Sequence, residues 1–534
     1  MRRPRVAIVA NRDGLALWQF AAARDIIREH DATIILDSSG EPSRGSIGVP
    51  PPADLPLAGN ASRFDPTTRI ASSNLLALTN RSACPIAALK SSEMGFDLIV
   101  DFIGGLETRR DLAAATVGIS FRNSNDSAEL AAFWDVYRAT PASSVRVICH
   151  EVDGSTLIVG QGSVTTDIRS PAMTSSALLW KASAMLSSAV RQYGGLEASE
   201  RRALAAKRFD QTLPSQSAQT ANALVRMMLR AKILSRRALM PGSLVRDQWQ
   251  IAIRRRTNTR AWGSADWHRG FDFIKCASSE FWADPFLFEE KGETWLFFEN
   301  YDRSTRNGRI ACGRIDQDGQ VRDVNIVIEN LYHMSNPLIF RHADEIIMIP
   351  ETMAARRVEM YRCRDFPFGW DRSAILLDDI DMCDPIPIDV DGHWWLFGNV
   401  VGRDGSSWNE LHLFHAGALT GPWIPHPLNP VIADVRTARP GGRMFWQDGV
   451  LFRYAQDCGG GYGSRLHLCR IDELTQTSYH QTVVATIDPF ELGMNGVHAY
   501  DAGTRYEVID ARHYQISYRE HVISWPPPRW LGFH

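Results

Sequence analysis

The hydrophobic pattern changes near residue 195 and again near residue 265. Before residue 195, short apolar runs alternate with stretches of helical spacing. Residues 6–10, 32–36, 96–102, 117–121 and 145–149 read as buried strands, since short apolar, β-branched runs between turn formers suit a sheet covered on both faces. Residues 17–30 and 175–191 read as helices, and the Pro/Ser/Gly-rich stretch 38–65 as a long loop. The alternation predicts an α/β domain with a mostly parallel sheet over 1–195. From 196 to 264 the pattern is helical and basic. There Leu224, Met227, Met228, Ile233 and Leu234 are interleaved with Arg226, Arg230, Lys232, Arg236 and Arg237. A basic helical linker is predicted.

From 265 to 534 the pattern is a repeat. Ala283-Asp284-Pro285-Phe286 leads into Trp295–Phe298, Ser335-Asn336-Pro337-Leu338 into 346–349, Cys383-Asp384-Pro385-Ile386 into 394–397, and Arg439-Pro440-Gly441-Gly442-Arg443 into 450–453. A weaker fifth unit, 498–501, leads into 506–510. Each unit is a polar head, usually with proline, a short apolar strand, a turn and a second apolar strand. The heads lie 52, 48 and about 56 residues apart. That spacing predicts a five-bladed β-propeller, one blade per repeat. The heads of the inner strands then line one central channel.

The residues at these heads carry the candidate chemistry. Asp284 and Asp384 are two carboxylates converging on one space, an arrangement that drives proton affinities apart. Glu351, Arg439, Arg453, Gln456, Asp457, Tyr462 and His498 come from the remaining blades. Trp282, Trp370, Trp394, Trp395, Trp408 and Trp423 suit both blade packing and stacking on sugar rings. Trp394 and Trp395 are adjacent, so they face opposite sides of a strand.

Several of these motifs together resemble a known family. Arg439–Arg443, 451–457, 461–463, 281–286, Ile349-Pro350-Glu351 and 496–500 resemble the N-terminal domain of plant glucosamine inositolphosphorylceramide transferases, over about 260 residues. That domain in turn looks like the propellers of family 43 glycoside hydrolases. The resemblance implies a sugar-handling site with Asp284 as base or nucleophile and Asp384 as a second acid, and with Glu351 or Glu410 as candidate general acid. Where relatives of that domain carry Glu after a tyrosine, this chain has Tyr479-His480-Gln481, which points away from a plain two-carboxylate hydrolase. Arg439, Arg453 and His498 are then expected to bind an anionic group on the sugar, and Gln456, Asp457 and Tyr462 its hydroxyls.

The order of elements in the first domain resembles the formyltransferase fold. Residues 97–100, 118–124 and 145–161 stand where that family carries its strand, its Asn-x-His-x-Ser motif and its Asp loop. Ser120 and Arg122 fall on the Asn and His positions. The resemblance implies a degenerate domain, with N-formylation of an amino sugar as the alternative function.

Charge adds one feature. Residues 201–260 hold 14 Lys/Arg against Asp210 and Asp247, a net of +12 in a chain of net −3, which leaves −15 for the rest. This stretch is the candidate for contact with an anionic membrane surface. No recognition motif for nucleic acid accompanies it. Residues 1–10 read as a first strand rather than a signal peptide, and the eight cysteines show no CxxC pairs. No metal or cofactor motif is read. The expectation is a cytoplasmic, bacterial-type carbohydrate-active enzyme, peripheral to the inner membrane. It would act as a glycosyltransferase on a sugar or sugar nucleotide in surface-polysaccharide or glycolipid assembly. A glycoside-hydrolase-like or non-catalytic glycan-binding propeller is the other reading.

Overall fold

The structure, a computed structural model, describes residues 3–11, 14–37, 65–79, 84–85, 89, 94–103, 106, 112, 114–121, 127–212, 223–239, 245–256, 267–518 and 521–525. It contains two compact units, Met1–Ile233 with Gly402–Ser406, and Leu234–Val401 with Ser407–His534. No described helix is long and apolar enough to cross a membrane.

The first unit is built on a seven-stranded sheet. Cys84–Pro85, Asp31–Asp37, Arg5–Asn11, Leu98–Asp101 and Ala115–Ser120 run parallel in that spatial order. Ala142–His150 and Thr156–Thr165 extend the sheet antiparallel, a hairpin that apolar runs alone did not distinguish from more parallel sheet. The central strand is buried from Val6 to Ala10, as a strand covered on both faces must be. Helix Pro171–Tyr193 begins where the Ser170 hydroxyl accepts the Met173 N–H at 3.2 Å and proline occupies the first turn. The strand expected at 96–102 stops at Asp101, because that carboxylate folds back to accept the N–H groups of Ile103 (2.9 Å) and Leu106 (3.1 Å). Ser120 is buried and donates to the Phe121 carbonyl at 3.4 Å, while Arg122 lies outside the described residues.

The second unit is a five-bladed propeller. Blade one runs Glu280–Glu290, Glu293–Asp302, Asn307–Ile315 and Val321–Ile328. Blade two is Ser335–His342, Glu345–Glu351, Arg357–Asp365 and Gly369–Asp378, and blade three is Met382–Val390, His393–Val400, Leu411–Ala416 and Ile424–Pro425. Blade four is Phe445–Gln447, Val450–Asp457, Arg465–Leu474 and Tyr479–Ile487. Blade five mixes the two ends of the unit. Gly496–Ala502 pairs with Tyr506–Tyr518, which pairs in turn with Val245–Arg255, in register from Val245 opposite Ile516 to Arg255 opposite Tyr506, and Asp272–Phe273 follows.

This corrects the linker. Val245–Arg255 is not helical and not a connection; it is the strand that closes the ring. Ile251, Ala252 and Ile253 are all buried. Ile251 and Ile253 pack with Trp282 and Phe298 of blade one, and Ala252 packs with Tyr454 and Leu466 of blade four. An element packed on both faces needs consecutive apolar residues, here the short run Ile251-Ala252-Ile253. The arginines that flank the run made it read as helical.

Blade four is irregular at its inner edge. The segment from Arg439 to Arg443 keeps only local pairing, with Gly441 N donating to Tyr454 O at 3.1 Å. The two glycines let it lie against blade five, where Tyr500 N donates to Gly441 O at 3.0 Å. A Cβ on Gly442, whose φ is +135°, would sit 2.1 Å from the Tyr500 carbonyl oxygen. Arg443 then reaches across the axis. Its guanidinium donates to Ile339 O of blade two (2.9 Å), Leu287 O of blade one (3.2 Å) and both Asp501 oxygens of blade five (2.9 and 3.2 Å). Asp501 also accepts the Leu287 N–H at 2.8 Å. One side chain thus ties four blades together. Replacing Arg443 with Met leaves Asp501 buried and unpaired, and is expected to lower stability in urea unfolding by about 3 kcal/mol. Arg443→Lys, which keeps the charge but not the fork, should fall between the two.

Candidate active site in the propeller channel

The blade heads place their side chains by the same backbone device. In blade one the ladder pairs Ala283 with Glu299 and next Phe286 with Phe297, so Asp284-Pro285 is a bulge. Blades two and three repeat it at Asn336-Pro337 and Asp384-Pro385. Asp284, Asn336 and Asp384 have φ of 51°, 46° and 48°. Asp and Asn tolerate this left-handed conformation better than most residues, and proline has no N–H to lose from the broken ladder. The bulge re-aims each side chain into the channel.

Each head amide is then caught by a carboxylate of the preceding blade. Asp284 N donates to Asp510 Oδ2 at 2.9 Å, Asn336 N to Asp284 Oδ2 at 3.0 Å, and Asp384 N to Glu351 Oε2 at 3.1 Å. Arg439 carries the ring onward from blade four. Its Nε donates to Asp384 Oδ2 at 2.6 Å, one terminal nitrogen lies 3.6 Å from Glu351, and the other donates to the Ser407 hydroxyl at 3.3 Å. Gln456 Nε2 donates to Asp384 Oδ2 at 3.0 Å.

His498 sits between two acids, with Nε2 2.8 Å from Asp284 Oδ1 and Nδ1 3.0 Å from Asp510 Oδ1. Burial alone would depress its pKa, but the carboxylates of Asp510 and Asp284 outweigh that and raise it to about 10. Asp284 is held low: burial opposes ionisation, and His498, Arg439 and the Asn336 N–H overcome it. Atoms of Asp284, His498 and Asp510 lie within 4.8 Å of one another, close enough to ligate a cation; in this arrangement the protonated imidazole supplies the positive charge.

Glu299, opposite Ala283 on the second strand of blade one, behaves in the opposite way. Burial and then the Asp284 charge push its pKa well above the usual carboxylate range, with Glu351 and Asp510 adding to the effect. Its carboxyl makes no hydrogen bond among the described residues; His333 Nε2 is 3.5 Å away. Gly308 N donates to His333 Nδ1 at 3.0 Å, so the neutral imidazole carries its proton on Nε2, toward Glu299. Glu351 is also raised, by burial and by Asp384, against the pull of Arg439.

An aromatic wall borders these groups. Tyr462 lies 5.0 Å from the Arg439 guanidinium, stacks on Trp408 at 5.9 Å and approaches His498 at 5.2 Å; Trp249 contacts His498 at 4.1 Å. Among the described residues, five buried polar atoms here make no hydrogen bond: Asn336 Nδ2, Asn399 Nδ2 and Oδ1, Gln456 Oε1, and His498 Nδ1, which faces Asp510 Oδ1 as an ion pair only.

The structure therefore brings together Asp284, Asp384, Glu351, Arg439, Gln456, Tyr462 and His498. It does not bring in Arg453 or Asp457. The Arg453 guanidinium is spent inside blade four on Gln481 Oε1 (2.7 Å) and Thr437 O. Asp457 caps its own turn, accepting from Gly459 N at 2.9 Å, and lies 3.4 Å from His467. Glu410 lies 3.5 Å from His412 in blade three. Trp394 and Trp395 are both buried in blade packing. Glu299, Asn399 and Asp510 were missed because they sit on second strands, which the repeat of Asp-Pro heads does not mark; Trp249 was missed with the closing strand. The pairing of Arg439 and His498 leaves neither cation over for an anionic group on the sugar. The charged His498 is stabilised only in the folded state. Its contribution is complete below its ordinary pKa of 6.5 and lost as pH rises through about 10. The stability gap between the parent and His498→Gln should thus be widest below the first value and close toward the second; a gap constant with pH would contradict this assignment.

The family model described as "Glucosamine inositolphosphorylceramide transferase 1, N-terminal" matches residues 257–523. Glucosamine inositolphosphorylceramide transferase 1 of Oryza sativa subsp. japonica is 33% identical over 270 residues, 48% of this chain and 34% of that protein. The Arabidopsis thaliana protein of the same name is 33% identical over 230 residues, 41% and 29% of the two chains. The match thus spans about a third of the curated relatives' length. Among solved structures, an exo-beta-1,3-galactanase from Clostridium thermocellum is similar with TM-score 0.33 and 11% identity, covering 43% of this chain and 54% of that one. The Cellvibrio cellulosa alpha-L-arabinanase has TM-score 0.30 and 16% identity, covering 42% and 84%. The matched half of the chain begins just beyond the strand that closes blade five and ends in His521–Trp525, which pairs with Tyr506–Tyr518, and on that match the chain belongs to the family of the glucosamine inositolphosphorylceramide transferase 1 N-terminal domain.

Proposed function

We propose that the channel is the working site of a carbohydrate-active protein that handles a glycosyl unit, with Asp284 as base and Glu299 as acid. One observation carries this reading. Two carboxyl groups on the same blade are driven apart in proton affinity, Asp284 downward and Glu299 upward, the pattern that separates acid from base roles in one site. Asp384 and Glu351, expected as catalytic groups, instead position Arg439 and the head of blade three. The unpartnered amides of Asn336, Asn399 and Gln456 suit sugar hydroxyls, and Trp408 and Tyr462 suit a sugar face. Because Arg439 and His498 are already paired, the glycosyl unit itself is uncharged or cationic rather than anionic. The relatives' printed name supports a glycosyl-transfer setting; their matched part is about a third of their length.

A second reading, a saccharide-binding propeller without chemistry, is favoured by the structural use of the same acids to hold the blade-head amides. Turnover separates the two. The purified chain is incubated with sugar nucleotides plus a glycolipid acceptor, and separately with nitrophenyl glycosides, while nucleotide or nitrophenol release is followed. Asp284→Asn keeps a side chain that tolerates positive φ, and Glu299→Gln keeps shape. Each should lower kcat by about 10²–10⁴-fold while saccharide binding in calorimetry persists. Binding without turnover in the parent selects the second reading, and full activity in both variants sinks the first.

The pH profile gives an independent check. Activity needs Asp284 ionised and Glu299 protonated. The acid limb should therefore lie below the usual carboxylate range and the alkaline limb above it. A profile whose two limbs both fall at the ordinary Asp and Glu values would assign the work to other groups.

A further inference from the structure

The positive charge of residues 201–260 is not one patch. Arg201 forms a two-pronged bond with Glu151 at 2.6 and 2.7 Å. Arg254 pairs with Glu507 and donates to Trp267 O, Arg255 donates to Gln317 O, and Arg256 donates to Gly503 O at 2.7 Å. These arginines hold the first unit and blade five internally, so the run Arg254–Arg256 is not a lipid-facing cluster.

What remains is the helix Ala223–Leu239. It carries Arg226, Arg230, Lys232, Arg236 and Arg237 and no acidic residue. One side is anchored on the helix Ala128–Arg138. Leu229 is buried, Lys232 donates to Tyr137 O at 3.2 Å and lies 4.1 Å from its ring centre, and Arg226 lies 5.6 Å from the Phe133 ring. The other side is apolar: Leu224, Met227 and Leu234 are 59%, 62% and 66% exposed, and Met228, 43% exposed, borders the anchored side with Sδ 4.0 Å from the Tyr137 hydroxyl. At 100° per residue these four share one arc of the helix, with Ala231 between them. Arg230 and Lys232 flank that arc on its two sides.

We infer that this helix docks on an anionic lipid surface, its Leu/Met face entering the headgroup boundary and Arg230 on its flank facing lipid phosphates. A wholly basic helix with an apolar face has the composition of an interfacial helix, and the absence of any acid in it selects an anionic surface over a neutral one. Exposed methionines and leucines in such a row are otherwise unfavourable on a surface in water.

The test is flotation of the full chain with vesicles of phosphatidylcholine alone and of equal parts phosphatidylcholine and phosphatidylglycerol. The parent should float with the anionic vesicles only, and less so as salt rises. Arg230→Gln should lower partitioning about fivefold, the effect of one basic residue near such a surface. Met227→Glu with Leu234→Glu should abolish flotation while leaving the thermal unfolding midpoint unchanged, since neither side chain is packed. Equal flotation of the double variant, or equal binding to neutral vesicles, would overturn the inference. So would a parent that elutes as a dimer and is made monomeric by the double variant without ever floating, because a second copy would then be the occupant. Saccharide turnover reads the channel and not this helix, so either proposal can fail alone.

Discussion

The propeller depends on a relay between blades at the head of each inner strand. A bulged residue with positive φ offers its amide to a carboxylate of the blade before it: Asp284 to Asp510, Asn336 to Asp284, Asp384 to Glu351. The bulge breaks the ladder and leaves that amide without a strand partner, and a buried amide without a partner would cost about 1–3 kcal/mol. The preceding blade supplies the missing acceptor. Inter-blade registry and site geometry are therefore the same set of hydrogen bonds. Arg439 and the Gly441-Gly442 segment complete the circuit through blades four and five by other means.

That relay constrains what the acids can do. Asp510 accepts three backbone N–H groups and faces His498, so its lone pairs are committed. Glu351 and Asp384 are tied to each other's blade and to Arg439. Asp284 keeps its negative charge because His498 and Arg439 compensate it. Glu299 alone among these buried acids takes no part in the relay, and the field of its neighbours keeps it protonated. The blade-head residues, the candidate chemistry of the sequence, are in part a structural requirement. The functional signal is narrower: one acid outside the relay beside one acid held ionised by it.

How much of this was readable without the structure follows from the kind of signal each residue carries. Asp-Pro and Asn-Pro heads recur because the bulge needs a residue that accepts positive φ followed by one without an N–H, and such local demands leave a motif at a fixed period. Glu299 and Asp510 satisfy no local demand. Each ends an apolar strand and is defined only by what lies across the channel. Arg453 and Arg439 look alike in sequence, yet Arg453 lies on the paired strand Val450–Asp457 and bonds within blade four, while Arg439 lies on the irregular segment before it and meets Asp384. The closing strand Val245–Arg255 is the hardest case. Its apolar core is short, arginines crowd its end, and its partner strand lies some 260 residues away, so nothing local distinguishes it from the basic helix before it. In the first unit, the buried parallel strands were legible from their uniform apolar runs, whereas the hairpin at the sheet edge was not.

The strongest argument that the channel is a site comes from comparing two levels of it. Three residues beyond the heads, Arg443 meets Asp501, Ile339 O and Leu287 O with good geometry, and the axis is sealed by a satisfied network. At the level of the heads the same fold tolerates left-handed Asp and Asn, a carboxyl with no hydrogen bond and amides on Asn336, Asn399 and Gln456 with unpartnered atoms. Each such feature costs of order 1 kcal/mol or more. The chain shows at Arg443 that it can satisfy buried polar groups on this axis. Leaving them open at the heads and on the second strands beside them is what a structure does when a ligand completes the hydrogen bonding, and the open groups are amides and a carboxylic acid, donors and acceptors that match hydroxyls.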